Sequence, residues 1–244
     1  MSGARPLGAP GVAVVVPAHD EADRLAATVA AARGLARVDL VVVVDDGSTD
    51  ATAEVARAAG AQVRGHRRRR GKAAAMETGA GAVADADRRE ERPSPRHLLF
   101  LDADLQDSAA NAAPLIDPVA GGRADMTIAV LPPSATPGGG RGFVVGLARR
   151  GIEQRTGWTP TQPLSGQRCL TRSAFERLRP LARGFGVETA LTVDALVAGL
   201  RVVEVEVELA HRVTGTDWRS QLHRVRQYGD VAAALAARRR KRVT

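Results

Sequence analysis

Three stretches of the chain are apolar without alternation. They are Val12 to Ala18 (VAVVVPA), the start of Leu40 to Asp50 (LVVVVDDGSTD), and the run HLLFLDA from His97. Short continuous runs of β-branched and aliphatic residues predict strands buried on both faces, as in parallel sheets. Between them the spacing changes to that of helices. EADRLAATVAAAR carries Leu25 and Val29 at helical separation. ATAEVARAAG predicts a short helix capped by Thr49 or Asp50 and stopped by Gly60. AQVRG predicts a short third strand. GKAAAMETGAGAVADA predicts a helix despite its glycines. Strand and helix in alternation predict β-α-β units around a mostly parallel sheet.

Beyond Asp107 the pattern continues less regularly. A helix is predicted from Asn111 to Ala120 and a strand from Ala124 to Val130. LPPSATPGGGRG, rich in Pro and Gly, predicts a mobile loop over a site. FVVGLARRGIEQR predicts a helix, and SGQRCLTR a strand. SAFERL opens with a capping-box pattern from Ser173 to Glu176. VETALTVDALVAG predicts a helix ending at Gly199. Strict alternation from Val203 to Leu209 predicts a half-buried strand, and TDWRSQLHRVRQYGDVAAALAARR a basic amphipathic helix. No boundary divides the chain sharply. We read residues 10–236 as one domain, with 10–130 as a nucleotide-binding half and 131–236 as an acceptor half. Residues 1–9 and 237–244 are expected to be flexible tails.

Ligands of parallel α/β sheets gather at the carboxyl ends of the strands. Pro17 and Ala18, Asp45 and Asp46, and Asp102 and Asp104 all fall at predicted strand ends, so they are expected to share one rim. Leu98 to Asp107 (LLFLDADLQD) aims three carboxylates from one strand end. Carboxylates that close together are costly unless a positive group sits among them. A D-x-D pair at a strand end suits a hard divalent cation such as Mg2+ or Mn2+, which can hold a diphosphate and stabilise its departure. The alternative is that DADLQD simply caps the next helix.

Composition narrows the classes. The 244 residues are 44% hydrophobic, enough for a folded core, and poor in aromatics. The single cysteine, Cys169, excludes an internal disulfide and fits a reducing compartment. The first residues lack the apolar core of a signal peptide, and no run is long enough to span a membrane. The formal charge is +8, with clusters at Arg67–Arg70 and in RRRKR from Arg238. Such clusters suit phosphorylated ligands, anionic lipid or nucleic acid, or form a solvated surface.

The ordered motifs VVVPAHDEADRL, VVVVDDGSTDAT, Gly71–Lys72 and LLFLDADLQD resemble those of family 2 nucleotide-sugar glycosyltransferases of the GT-A fold. The resemblance is strong from Val12 to Asp107 and looser to about Asp230. It implies a Rossmann-like central sheet flanked by helices and a metal-dependent hexosyl transfer from a nucleotide diphosphate sugar. It implies that Pro17, Ala18, Glu21, Asp46, Ser48, Lys72, Asp102 and Ala103 line the nucleotide-sugar site, and that Asp104 binds the metal. The second half resembles two subgroups, the glucosyl-3-phosphoglycerate synthase type and the dolichol-phosphate mannosyltransferase type. The former implies an acceptor loop at Gly138 to Arg141, with Gly140 and Arg141 gripping an anion, and His211 as a further metal ligand. Both imply a pocket wall at Ser165, Gly166 and Gln167. Asp102, Asp104 and Glu188 are the catalytic candidates, with Glu188 or a rim aspartate as base if the transfer inverts.

The expected partners are therefore a nucleotide-sugar donor, UDP-glucose by preference, and an anionic acceptor such as a phosphoglycerate-like compound. A polyprenyl-phosphate acceptor at a membrane surface is the alternative. A basic nucleic-acid- or membrane-binding module is the reading from another class, and it rests on charge alone. The enzyme reading expects no nucleic acid partner and a cytoplasmic location. It is compatible with peripheral contact at the inner membrane surface and with a homodimer.

Overall fold

The computed structural model describes residues 10–132, 141–209 and 218–238. Seven strands form one sheet in the order β3-β2-β1-β4-β6-β5-β7. These are β1 (Val12–Ala18), β2 (Val38–Asp45), β3 (Gln62–Gly65), β4 (His97–Phe100), β5 (Met126–Val130), β6 (Arg168–Leu170) and β7 (Val202–Glu206). Among the described residues only β6 runs antiparallel to its neighbours; every other pairing is parallel. The α/β fold expected from the periodicity is the fold observed.

Both faces of the sheet are covered, which is why the strands lack alternation. Val12, Val14 and Val16 of β1 pack with Leu25 and Val29 of α1 (Ala22–Arg33), and with Leu115 and Ile116 of α4 (Ala113–Ala120). Ala13 and Val15 point the other way, toward Ala75, Met76 and Val83 of α3 (Lys72–Arg89). Glycine and alanine in α3 let it approach closely: a Cβ on Gly79 would lie 2.3 Å from a methyl of Val15. The scarcity of aromatics thus reflects short-side-chain packing of helix on sheet. A third apolar cluster joins α5 (Arg141–Thr156), α7 (Val187–Val197) and α8 (Trp218–Ala237) through Ala148, Ile152, Val193, Val231 and Leu235.

Local details depart from expectation where side chains have other work. The short helix α2 (Thr52–Ala58) follows Ala51, which has no side-chain cap. Asp50 instead accepts from the amides of Ala22 and Thr52, and Thr49 donates to Asp20. The helix α6 (Arg172–Arg177) is capped by Thr171, whose hydroxyl accepts from the Ala174 amide, not by Ser173. The helix expected from Asn111 begins as a 3-10 turn at Gln106–Ala112. β6 is only three residues long. β7 lies at the sheet edge, its Val203 exposed.

At the amino ends of the strands, opposite the rim, lies a charge cluster absent from the sequence reading. Buried Arg96 meets Asp39 at 2.5 Å, Asp87 at 2.7 Å and Glu90 at 2.5 Å. Arg172 adds a contact to Asp87 at 3.2 Å. Arg96→Met removes the most buried cation of the cluster and leaves Asp39, Asp87 and Glu90, among the described residues, with the longer contacts of Arg92, at 3.1, 3.9 and 3.5 Å, and of Arg172. Breaking a buried pair from one side costs about 3–5 kcal/mol. Asp39 and Glu90 retain some solvent, so the lower end, roughly 3 kcal/mol, is expected. A urea midpoint unchanged from wild type would refute that role. Among the described residues, no helix is long and apolar enough to cross a membrane.

Candidate active site

The carboxyl ends of β1, β2 and β4 do converge on one rim. Their loops are laced together before any ligand is considered. Ser48 Oγ accepts from the Asp20 amide at 3.0 Å, Asp20 Oδ1 from the Thr49 amide at 2.8 Å, and Asp45 Oδ1 from the Ser48 amide at 2.9 Å. The Glu21 amide donates to Thr52 Oγ1 at 2.9 Å, and the Glu21 carboxylate receives Arg24 at 3.1 Å. These bonds spend side-chain oxygens of AHDE and DDGSTD on fixing the two turns against each other. Pro17 and Ala18 complete the last residues of β1 beneath them.

Asp46 has a more defined part than its motif suggests. Its carboxylate is buried and accepts from the Arg70 amide at 2.8 Å, the Gly71 amide at 2.7 Å and His66 Nδ1 at 2.6 Å. His66 Nε2 pairs with the Thr78 hydroxyl of α3 at 2.9 Å. Burial pushes the Asp46 carboxyl up, but the bonds from His66 and the two amides outweigh it and hold its pKa below the usual range. The loop from His66 to Gly71 also crosses directly over Gly47, where a Cβ would lie 2.7 Å from the backbone of Arg68 and Arg69. Asp46 and His66 therefore set the entry of α3, and with it Lys72, the first residue of that helix.

Lys72 answers the question raised by the acidic strand end. Its ammonium lies 2.7 Å from Asp102 Oδ1 and 3.1 Å from Glu188 Oε1. Burial opposes the charge, yet Asp102 and Glu188 overcome it and raise the lysine pKa above its usual value. Asp102 Oδ2 accepts from Gln167 Nε2 at 2.8 Å. Gly166 leaves the room this requires, since a Cβ there would lie 2.4 Å from Lys72 Nζ and 3.1 Å from Asp102. Lys72, Asp102, Gly166, Gln167 and Glu188, scattered over the sequence, thus form one constellation. The positive group among the carboxylates is supplied, in the first place, by the protein itself.

Asp104 differs. It is partly exposed and has neither a hydrogen bond nor an ion pair among the described residues. Ala103 is buried, and its carbonyl accepts from Thr28 Oγ1 at 2.8 Å; the same hydroxyl accepts from the Gln106 amide at 2.7 Å. Thr28, wholly buried in α1, pins the DADLQ turn from below. An unengaged carboxylate on a pinned turn suits Mg2+ or Mn2+, which take one or two protein carboxylates and fill the rest from phosphate and water. Among the described residues no three His, Cys, Asp or Glu side chains form a metal cluster. His211, the expected further ligand, lies outside the described residues, as does Gly140. Arg141 opens α5.

The segment Ser165–Gln167 is braced by Arg168, which sequence reasoning passed over. Its buried guanidinium donates to the carbonyl of Ser165 at 2.9 Å and to the Thr192 hydroxyl at 2.9 Å. Burial pushes it down to about 10, with Glu188 and Glu204 opposing the shift. Ser165 is buried with an unpartnered hydroxyl among the described residues. Asp230 of α8 receives the Phe185 amide at 3.0 Å, holding the 3-10 turn Gly184–Gly186 that leads to Glu188. Cys169 is buried, and burial raises its thiol pKa, so it is no candidate nucleophile.

The Glycosyl transferase family 2 profile matches residues 13–177, which contain the whole rim except Glu188. The chain belongs to glycosyltransferase family 2. Solved structures similar to this family 2 chain include glucosyl-3-phosphoglycerate synthase from Mycobacterium tuberculosis. Its complex with phosphoglyceric acid is 27% identical, with a TM-score of 0.75 over 94% of this chain and 80% of that chain. Its complex with Mn2+, uridine-diphosphate and phosphoglyceric acid is 26% identical, with a TM-score of 0.75 over 94% and 78%. A curated relative, glycosyltransferase AglJ of Haloferax volcanii, is 30% identical over 214 residues, covering 84% of this chain. This family 2 chain spans 65% of the length of that relative.

Of the residues that matter here, Thr28, His66, Thr78 and Arg168 carry no signal in the motifs. His66 had one faint cue, a histidine placed directly before an arginine run. Arg168 had another, an arginine within a predicted buried strand.

Proposed function

We propose that the protein transfers a hexosyl group from a nucleoside diphosphate sugar, UDP-glucose by preference, to a small anionic acceptor of the phosphoglycerate kind. The observation that carries this reading is the Lys72 ammonium held between Asp102 and Glu188 on the rim. The likeness to a synthase solved with Mn2+, uridine-diphosphate and phosphoglyceric acid supports it.

In this reading Pro17, Ala18, Glu21, Asp46 and Ser48 shape the nucleotide end of the site, Asp46 through the loop it clamps. Each carboxylate oxygen has lone pairs beyond the one already used, so Asp102 can accept from a ribose or sugar hydroxyl while keeping Lys72 and Gln167. Lys72 offsets negative charge on the diphosphate. Asp104, with His211 as partner, would hold a divalent cation that supplies Lewis-acid stabilisation of the departing nucleotide when bound. Glu188, held by Lys72 at the start of α7, orients the acceptor or sugar hydroxyl and takes its proton if the transfer inverts. Arg141, with Gly140, grips the acceptor's anionic group, for which a guanidinium fork is suited. Ser165, Gly166 and Gln167 wall the pocket.

A donor-by-acceptor screen tests the reading: UDP-glucose and GDP-mannose against 3-phosphoglycerate and a short polyprenyl phosphate, with manganese or with EDTA. UDP-glucose with 3-phosphoglycerate is expected to give product, abolished by EDTA. Product from the polyprenyl phosphate alone would transfer the assignment to a lipid-linked acceptor. Absence of product with every pair would end it.

A further inference from the structure

The loop Arg67–Arg70 is not used by the reaction proposed above. All four side chains are exposed, and none makes a hydrogen bond or ion pair among the described residues. Several other arginines among the described residues are paired: Arg24 with Glu21, Arg96 with Asp87, Arg201 with Asp125, Arg238 with Asp194. The nearby rim carboxylates make no ion pair with these four side chains among the described residues. Asp20, Asp45 and Asp50 are committed to the amides of Thr49, Ser48, Ala22 and Thr52.

A run of four unpaired cations would ordinarily be left to a floppy segment, where the charges can spread apart. Here the backbone is anchored. The amides of Arg70 and Gly71 bond to buried Asp46, the His66 amide bonds to the Asp45 carbonyl at 2.9 Å, and the chain lies against Gly47. The protein thus holds four like charges together at fixed positions, facing solvent, beside the mouth of the site. That arrangement is stable against its own repulsion only at the expense of the clamp, and it presents an electrostatic surface ready for an external anion.

We propose that this loop docks the protein onto an anionic lipid surface, with the rim of the sheet facing the bilayer. The chemistry favours lipid over nucleic acid. The segment from Gly65 to Lys72 contains no Phe, Tyr or Trp, and its one aromatic ring, the His66 imidazole, is buried between Asp46 and Thr78, away from any base that could stack on it. Its charge is a compact tip rather than a stripe that could follow a duplex. Clustered basic side chains near an anionic leaflet gain about 1 kcal/mol each, or roughly fivefold in affinity per arginine. The docking itself does not rest on the donor reading. Its consequence does: the nucleotide-sugar site would face the membrane surface while the protein is docked.

The test is sedimentation of the full chain with vesicles of phosphatidylcholine, alone or with phosphatidylglycerol, at low and high salt. The wild type is expected to pellet only with phosphatidylglycerol, and less at high salt. Substituting R67Q/R68Q/R69Q/R70Q should weaken binding at least 100-fold, on the order of fivefold per residue. The manganese-plus-UDP thermal shift of that variant should remain. R68Q alone, the least disruptive change, should weaken vesicle binding about fivefold. A chain ending at Arg238, which lacks the basic tail, should still pellet. Equal pelleting of the fourfold variant and wild type, pelleting only when the tail is present, or none with phosphatidylglycerol would each overturn the proposal. So would a fourfold variant that keeps its thermal midpoint but loses the UDP shift, because the arginines would then serve the donor.

Discussion

Lys72→Ala is expected to lower turnover by roughly 10²–10³-fold, the usual effect of removing one pre-positioned electrostatic donor from an active site. The physical reason is local. Without the ammonium, Asp102 and Glu188 face the same space with no counter-charge, and an incoming diphosphate would add more negative charge to it. Lys72→Arg is expected to rescue little. Of 35 basic side chains, only Lys72 and Lys241 are lysine. The space around Nζ is so restricted that even a methyl on Gly166 would lie 2.4 Å from it. A planar guanidinium does not fit where a compact ammonium does. Steady-state kinetics at saturating donor would check this. Turnover of the alanine variant within a few-fold of wild type would remove Lys72 from the mechanism.

Asp104→Ala should abolish the part of nucleotide binding that depends on a divalent cation. With UDP and manganese at about 100 times the dissociation constant, binding stabilises the wild type by roughly 2.7 kcal/mol. For a chain of this size that corresponds to a rise of about 5–10 °C in Tm. In the variant, the Tm with UDP and manganese should equal that with UDP and EDTA. The ligand-free Tm should scarcely move, because Asp104 bonds to nothing among the described residues, and such surface changes stay within about 0.5 kcal/mol. That separation makes the result interpretable, since a lost shift could not be blamed on a lost fold. A full manganese-dependent shift in Asp104→Ala would place the metal elsewhere.

Both predictions rest on residues that the motifs singled out, but the reasons behind them were legible to different degrees. Asp104 could be chosen from D-x-D at a strand end alone. Lys72 could be chosen from Gly71–Lys72, yet its pairing with Glu188, far along the chain, could not. That pairing depends on β4 lying beside β6 and on α7 returning across the same face, which periodicity does not report. Asp46 shows the limit most clearly. A rim aspartate can serve a ligand or a neighbouring loop, and only the positions of His66, Arg70 and Gly71 reveal that this carboxylate already holds the loop leading to Lys72. Caps were only partly legible for the same reason: Thr49 bonds across to Asp20, Asp50 divides its carboxylate between the Ala22 amide and the Thr52 amide of the nearest helix, and Thr171 outcompetes Ser173.

The order of strands and helices, the burial of both sheet faces and the gathering of acidic turns at one edge were determined by the sequence alone. Hydrophobic period is a local property, and parallel β-α-β units send every strand end the same way. The tertiary structure alone decided which charge meets which. It joined Lys72 to Asp102 and Glu188, Thr28 to the turn above it, and Arg96 to three acids at the far edge. Such pairings depend on separations in space between residues remote in the chain, and short-range hydrogen bonds and ion pairs are decided at that scale.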